Sequence, residues 1–313
     1  MSSKEKPLHS FDDSNAVLIK DHISHEETFV EVFEYAFQKL RDPWYKTFLF
    51  GIMAGFFVAI AYVIVIVALS GFIIKDSNGN LKPNGMPSGM IALITGLTFT
   101  PAILMVIFIG GTLFTSNSLT LLPIVKREAK LRRMLVNLSL VLVGNCLGAL
   151  IVAISTYLMG HMKVDSEFYN AFKYIYDKKI GSSPSNLNWT VFLKNFVSGI
   201  YCNILIAGLF WMNMSVKNSA TKVLLCFFVI LAFGISGFQH IVANAYVWMT
   251  GLFLNNGMVG QDFGTFSIMN MLPTLLGNFI GGSVVLPMVY LLVFKKRINA
   301  EIAAGKFFKG TKL

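Results

Sequence analysis

Hydrocarbon offers no hydrogen-bond partners, so a chain that crosses it must satisfy its backbone groups within helices or a closed barrel. That constraint applies here. Apolar runs such as KTFLFGIMAGFFVAIAYVIVIVALSGFII are long enough to cross a core of about 30 Å, and they recur along the sequence. Six spans are read, at 46–74, 88–122, 132–160, 190–216, 221–254 and 267–294. Only 13% of the 313 residues are charged, where a soluble domain carries about a quarter. The chain is a polytopic all-α membrane protein. MSSKEKPLHS is followed by polar residues rather than an apolar segment, so no secretory signal peptide is expected.

The net charge of +10 would suit a nucleic-acid partner, but its distribution does not. Lys126, Arg127, Lys130, Arg132 and Arg133 share one loop, and Lys295, Lys296 and Arg297 follow the last span. Basic residues at span ends set topology and face anionic lipid. Six spans with these loops inside put both termini in the cytoplasm of a plasma-membrane protein. The division is then a cytoplasmic segment 1–45, a three-span unit 46–160, an extracellular loop 161–189, a second unit 190–296 and a basic cytoplasmic tail 297–313. Within the first segment, EETFVEVFEYAFQKL places Phe29, Val32, Phe33, Ala36, Phe37 and Leu40 at helical spacing, which predicts an amphipathic helix under the bundle.

The two units resemble each other. GNCLGAL (144–150) recurs as GNFIGGS (277–283), and each is preceded at similar distance by an interrupted segment: GLTFTPAIL with Phe99, and AFGISGFQH with Phe233. Two three-span copies in one chain must be inverted, and inverted repeats with broken helices are a transporter or channel plan with its site near the midplane. Thr98, Thr100 and Pro101 interrupt the second span, and Gly234 and Gly237 the fifth. His240 is the single histidine within a span. It can be a structural residue bonded to a neighbouring carbonyl, but ionisable groups in membranes are costly and mark function. Gln239 and Asn244 flank it, and Asn203 is a further amide in the fourth span; Asn145 and Asn278 are read as bridging helices or capping the breaks. Phe99 and Phe233 can be packing aromatics, or an apolar constriction at the breaks.

No HExxH, G-x-S-x-G, Walker A or paired intramembrane carboxylate is present, so neither an enzyme nor an ATP-driven pump is expected. Cys146, Cys202 and Cys226 lie in apolar segments without metal-ligand spacing, so no metal and no cofactor is expected.

GFQHIVAN resembles the fifth-span motif of the formate/nitrite transporter family. FTPAILMVIFIGGTLFTSNSL is similar to that family's second span with its Ω-loop, GIYCNILIAGLFWM to its fourth, and GNCLGAL and LPTLLGNFIGGSVV to its third and sixth. The likeness runs in order from about residue 27 to 296. It implies an aquaporin-like protomer in a homopentamer, each protomer with a pore for small monovalent anions or their acids: formate, nitrite, hydrosulfide, acetate or lactate, with protons. It also implies His240 as the central pore histidine with Thr100 as the hydroxyl beside it. Phe99 and Phe233 would belong to the two constrictions, Asn203 and Asn244 would be lumen amides, and Lys179 a vestibule lysine, with Lys178 and Lys194 as alternatives. Two departures stand out: Gln239 and Thr112 occupy positions where the family often carries an acid.

A bare anion meets a penalty of many kcal/mol in a dry apolar constriction, whereas a neutral acid does not. The expected mechanism is therefore recruitment of the anion, protonation near His240 and passage as the acid. A water or glycerol channel shares the fold plan and is the rival reading.

Overall fold

The computed structural model describes residues 22–180, 188–257 and 261–307. Helix α1 (His25–Arg41) opens on a capping box: the Ser24 side chain accepts from the Glu27 N–H while Glu27 reaches back to the Ser24 N–H. All six of its expected apolar positions are buried, against the chain's C-terminal region and the fourth span. The first span is α2 (Trp44–Leu69), which leads into a short antiparallel hairpin of β1 (Ile73–Lys75) and β2 (Leu81–Pro83). The second span, Ser88–Gly110, is α3 (Ser88–Phe99), α4 (Pro101–Met105) and a π-helical turn. Short helices α5 (Phe114–Asn117) and α6 (Leu121–Val125) follow it. The third span is α7 (Leu131–Leu158), and α8 (Glu167–Ile180) follows. The fourth and fifth are α9 (Trp189–Ser215) and α10 (Ser219–Ser236), with α11 (Ile241–Thr250) after a break. The sixth, Phe263–Val293, starts within α12 (Gln261–Phe266) and runs through α13 (Leu272–Ile280) and α14 (Leu286–Val293), with π-helical turns between them; α15 (Lys295–Ala303) ends the described chain. Among the described residues six helices are long and apolar enough to cross a membrane. The stretch 161–189, expected as a loop, contains helix α8, while its GSSPSNL segment lies outside the described residues.

Glycine sets the helix crossings. A Cβ on Gly55 or Gly148 would overlap a backbone carbonyl across the α2–α7 contact, and one on Gly277 or Gly281 would do so across α9–α13. Side-chain-free crossings let helices associate by close packing where lipid supplies no hydrophobic drive. This explains the glycines of both GNxxG motifs, and their asparagines follow from it. Asn145 donates to the carbonyls of Gly51 (2.8 Å) and Thr112 (2.9 Å) and accepts from the Phe114 N–H (3.1 Å). Asn278 donates to Gly199 (2.8 Å) and Gln239 (2.9 Å) and accepts from Ile241 (2.8 Å). Each amide thus satisfies backbone groups that a broken helix would leave orphaned in the membrane.

The breaks are where these asparagines point, and one differs from expectation. Thr100 keeps helical dihedrals and Pro101 starts the next turn, so the chain passes Phe99 without a loop. Proline at a first helical position has the right φ and surrenders only one N–H. The second span stops instead at Gly110, with φ 113°, and extended Gly111. The fifth span breaks at Gly237, with φ 63°, as the sequence suggested; Gly234 stays helical.

Candidate functional site

His240 is the hinge of the second break. Gly237 ends α10 in the left-handed region, the chain runs extended, and His240 caps α11. Its Nδ1 accepts the Ala243 N–H at 3.2 Å. An accepting Nδ1 places the neutral ring's proton on Nε2. Nε2 lies 3.1 Å from Thr115 Oγ1, a residue of α5 just beyond the first break. The two breaks therefore meet through one hydrogen bond, and His240 is only 4% exposed.

Cavities lie on both sides of this point. On the α8 side a space of about 60 Å³ is lined by Tyr62, Phe99, Lys179, Phe233 and Asn244. Beneath it, Phe99, Phe233, Ile103, Leu113, Ile206 and His240 line a void of about 10 Å³, which is at most one water's worth. The Phe99 and Phe233 rings stand 5.8 Å apart, and Phe233 is 5.9 Å from the His240 ring. One helical turn further toward α1, Val106, Ile107 and Phe210 face a cavity of about 900 Å³. The void between the two cavities is lined by apolar side chains apart from His240.

Lys179, near the end of α8, extends Nζ to Gln239 Oε1 (3.0 Å) and Asn244 Oδ1 (2.6 Å). Gln239 Oε1 also accepts from Asn244 (3.0 Å) and Asn270 (3.2 Å). Burial lowers the Lys179 pKa from its ordinary value of 10.5 to about 8, because removing the ammonium from water disfavours its charged form.

The family model described as Formate/nitrite transporter matches residues 26–292. The chain belongs to the formate/nitrite transporter family. It is an integral membrane protein of a transport family, not an enzyme. Relatives in this family include the uncharacterized transporter YrhG of Bacillus subtilis (strain 168), 28% identical over 84% of this chain and 91% of that protein. The formate-nitrite transporter of Plasmodium falciparum (isolate 3D7) is 28% identical over 90% and 88%. A solved pentameric formate channel with formate bound is similar at 27% identity and TM-score 0.65, covering 80% of this chain and 98% of that one.

Within this family framework the expected residues sort unevenly. His240, Gln239, Asn244 and Lys179 come together; Lys178 and Lys194 make no contact with this cluster. The Thr100 hydroxyl donates to the Leu97 carbonyl at 2.9 Å, and the hydroxyl that bonds the histidine is that of Thr115. Phe99 and Phe233 form one layer rather than two, and Ile103, Leu113 and Ile206 form the layer below. Asn203 lines none of the three cavities. Its Nδ2 ties Thr115, Ser118 and Asn278 together. Thr115, which bonds His240, and Asn270, which bonds Gln239 and Asn244, were not among the expected residues. A readable signal existed, because GGTLFTSN (110–117) and GFQHIVAN (237–244) both run from glycine to asparagine over eight residues.

Proposed function

We propose that this protein passes small monovalent anions of the formate or nitrite type across the plasma membrane, in a pH-dependent and proton-coupled manner, through one pore per protomer of a homopentamer. Lactate, acetate and hydrosulfide belong to the same size and charge class. The observation that carries the reading is His240, the one polar side chain lining a void of about 10 Å³ between apolar layers, with its Nε2 bonded to Thr115 behind it. A bare anion there loses its water and meets a single hydrogen-bonding side chain, whereas a neutral acid needs far less compensation.

The pore runs from the Lys179 vestibule, past Phe99 and Phe233, to His240 and then to the cavity beside α1. Lys179 gathers the anion, and the apolar approach to His240 favours its protonated form, since low-dielectric surroundings disfavour charge. The proton comes from the vestibule rather than from the imidazole. Nδ1 is occupied as an acceptor, and Nε2–H is the ring's sole proton. His240 thus acts as a hydrogen-bonding partner for the passing acid.

The halves 46–160 and 190–296 are inverted copies in this reading, supported by the equivalent bonds of Asn145 and Asn278. The positive loops place α1, α15 and both termini in the cytoplasm. The pentamer rests on the similar formate channel, and exposed apolar residues such as Leu147, Leu158 and Leu292 suit contact with lipid and neighbouring protomers. In proteoliposomes, formate uptake should rise as outside pH falls, and His240→Phe, which removes the one polar side chain lining the void, should abolish it. Full pH-coupled uptake by that variant would overturn the reading.

A further inference from the structure

The third span carries two pockets on its outer side, and neither shares a lining residue with the cavities along the pore. One, of about 410 Å³, lies where helices α2 and α7 begin and is lined by Lys130, Arg132, Arg133, Trp44 and Thr47. Both helices start without a side-chain cap and without an acid in the first turn. Their unpaired N–H groups and the positive ends of their dipoles add to the attraction of the three cations for an anion.

The polar groups of this pocket are unspent. Among the described residues the side chains of Lys130, Arg132 and Arg133 form no ion pair. The one acid in the pocket wall, Asp42, already holds Lys46 at 2.7 Å. Thr47 is only 4% exposed, and its hydroxyl bonds no described residue. A buried hydroxyl left without a partner costs free energy that a ligand in the pocket recovers. A basic loop that only set topology would need its charges but not a concave wall containing a tryptophan.

The second pocket, of about 390 Å³, is apolar, with Cys146, Leu147, Trp248 and Leu275 in its wall. Helix α7 joins the two. Val136 and Leu140 line the basic pocket, and Val143 and Leu147 line the apolar one. Spacings of four, three and four residues put all four on one face of the helix. Val136, Val143 and Leu147 are exposed. From Val136 to Leu147 the helix rises ~16 Å, about half of a hydrocarbon core of ~30 Å. An acyl chain whose headgroup sits at the start of α7 therefore ends beside the apolar pocket.

We propose that these two pockets form one site for an anionic phospholipid. Its phosphate seats among Lys130, Arg132, Arg133 and the Thr47 hydroxyl, and one acyl chain follows the stripe Val136, Leu140, Val143 and Leu147 into the apolar pocket. Basic pockets between transmembrane helices hold anionic headgroups in this way, and guanidinium groups take phosphate oxygens pairwise. Trp44, 67% exposed, stands at the level of the headgroups, where an indole is at home. The site is independent of the anion pathway and of how that pathway handles protons.

The test is quenching of tryptophan fluorescence by lipids brominated in mid-chain, with the intact protein in neutral detergent micelles. Brominated phosphatidylglycerol should quench saturably, at a half-saturating concentration at least fivefold below that of brominated phosphatidylcholine. Most of that quenching should vanish in Trp248→Phe, whose indole lines the apolar pocket. The triple variant Lys130→Gln, Arg132→Gln, Arg133→Gln should lose the preference for phosphatidylglycerol, and the same triple change of Arg132 and Arg133 to Lys with Lys130→Arg should keep it. Val143→Phe, which narrows the stripe, should weaken quenching by both lipids. Lys295→Gln with Lys296→Gln, equally basic but away from the pocket, should change nothing. Every variant is checked for wild-type elution on size exclusion. Equal quenching by the two lipids, an equal loss in the Lys295 and Lys296 variant, or displacement of the lipid by equimolar inorganic phosphate would overturn the proposal. So would a Val143→Phe protein with intact quenching and an altered assembly state, which would give the stripe to a neighbouring copy of the chain.

Discussion

Thr115→Val is the substitution that most sharply separates the two hydroxyls expected or found near the histidine. Valine keeps the shape of threonine and deletes the Oγ1 that meets His240 Nε2 at 3.1 Å. Both residues are buried, so the imidazole N–H is left unpaired. An orphaned buried donor costs about 1–3 kcal/mol. The imidazole that lines the void also loses the partner that fixes its orientation. A barrier raised by about 1.4–2 kcal/mol lowers the rate about 10- to 30-fold. Thr100→Val removes a hydroxyl that bonds only its own helix, at the Leu97 carbonyl, and should leave flux within about twofold. The assay is initial uptake of labelled formate into proteoliposomes at matched protein density, with the assembly state of both variants checked. A loss in Thr100→Val equal to or greater than that in Thr115→Val would refute the assignment.

Other outcomes follow from the same geometry. Because the Lys179 pKa falls to about 8, the ammonium is charged below that pH and neutral above it; raising pH from 7 to 9 drops the charged fraction from about nine-tenths to about one-tenth. Half-saturating formate presented on the α8 side should therefore climb across that interval, and Lys179→Arg, which stays charged, should flatten the climb. Phe99 and Phe233 form one layer, so Phe99→Ala and Phe233→Ala should each admit larger acids such as lactate relative to formate, and the double variant should exceed neither by much. Unchanged lactate-to-formate ratios in both single variants would return those rings to packing.

The sequence exposes the fold through features that physics makes unavoidable. Hydrocarbon-length runs, glycine-flanked asparagines and a histidine in an interrupted span each have one economical explanation in a membrane. The amphipathic stretch of α1 is equally legible, because all six apolar positions at helical spacing are buried. The first break is less legible. Proline draws attention to Thr100, yet at a first helical position it continues the helix, and the less conspicuous Gly110–Gly111 pair ends it. Anchoring on Pro101 therefore sets the break a few turns too early, and the hydroxyl that bonds His240 comes from Thr115, beyond the later break. Asn203 shows what a sequence does not carry: which groups a buried amide bonds, here the Thr115 and Asn278 carbonyls through Nδ2.

The central claim is that substrate crosses the His240 layer as a neutral acid. It is tested most directly by measuring formate flux and charge movement together, in voltage-clamped bilayers or on solid-supported membranes carrying the protein. The account predicts rapid formate entry with acidification of the far side and no accompanying steady current. A steady current of one negative charge per formate transported would contradict it.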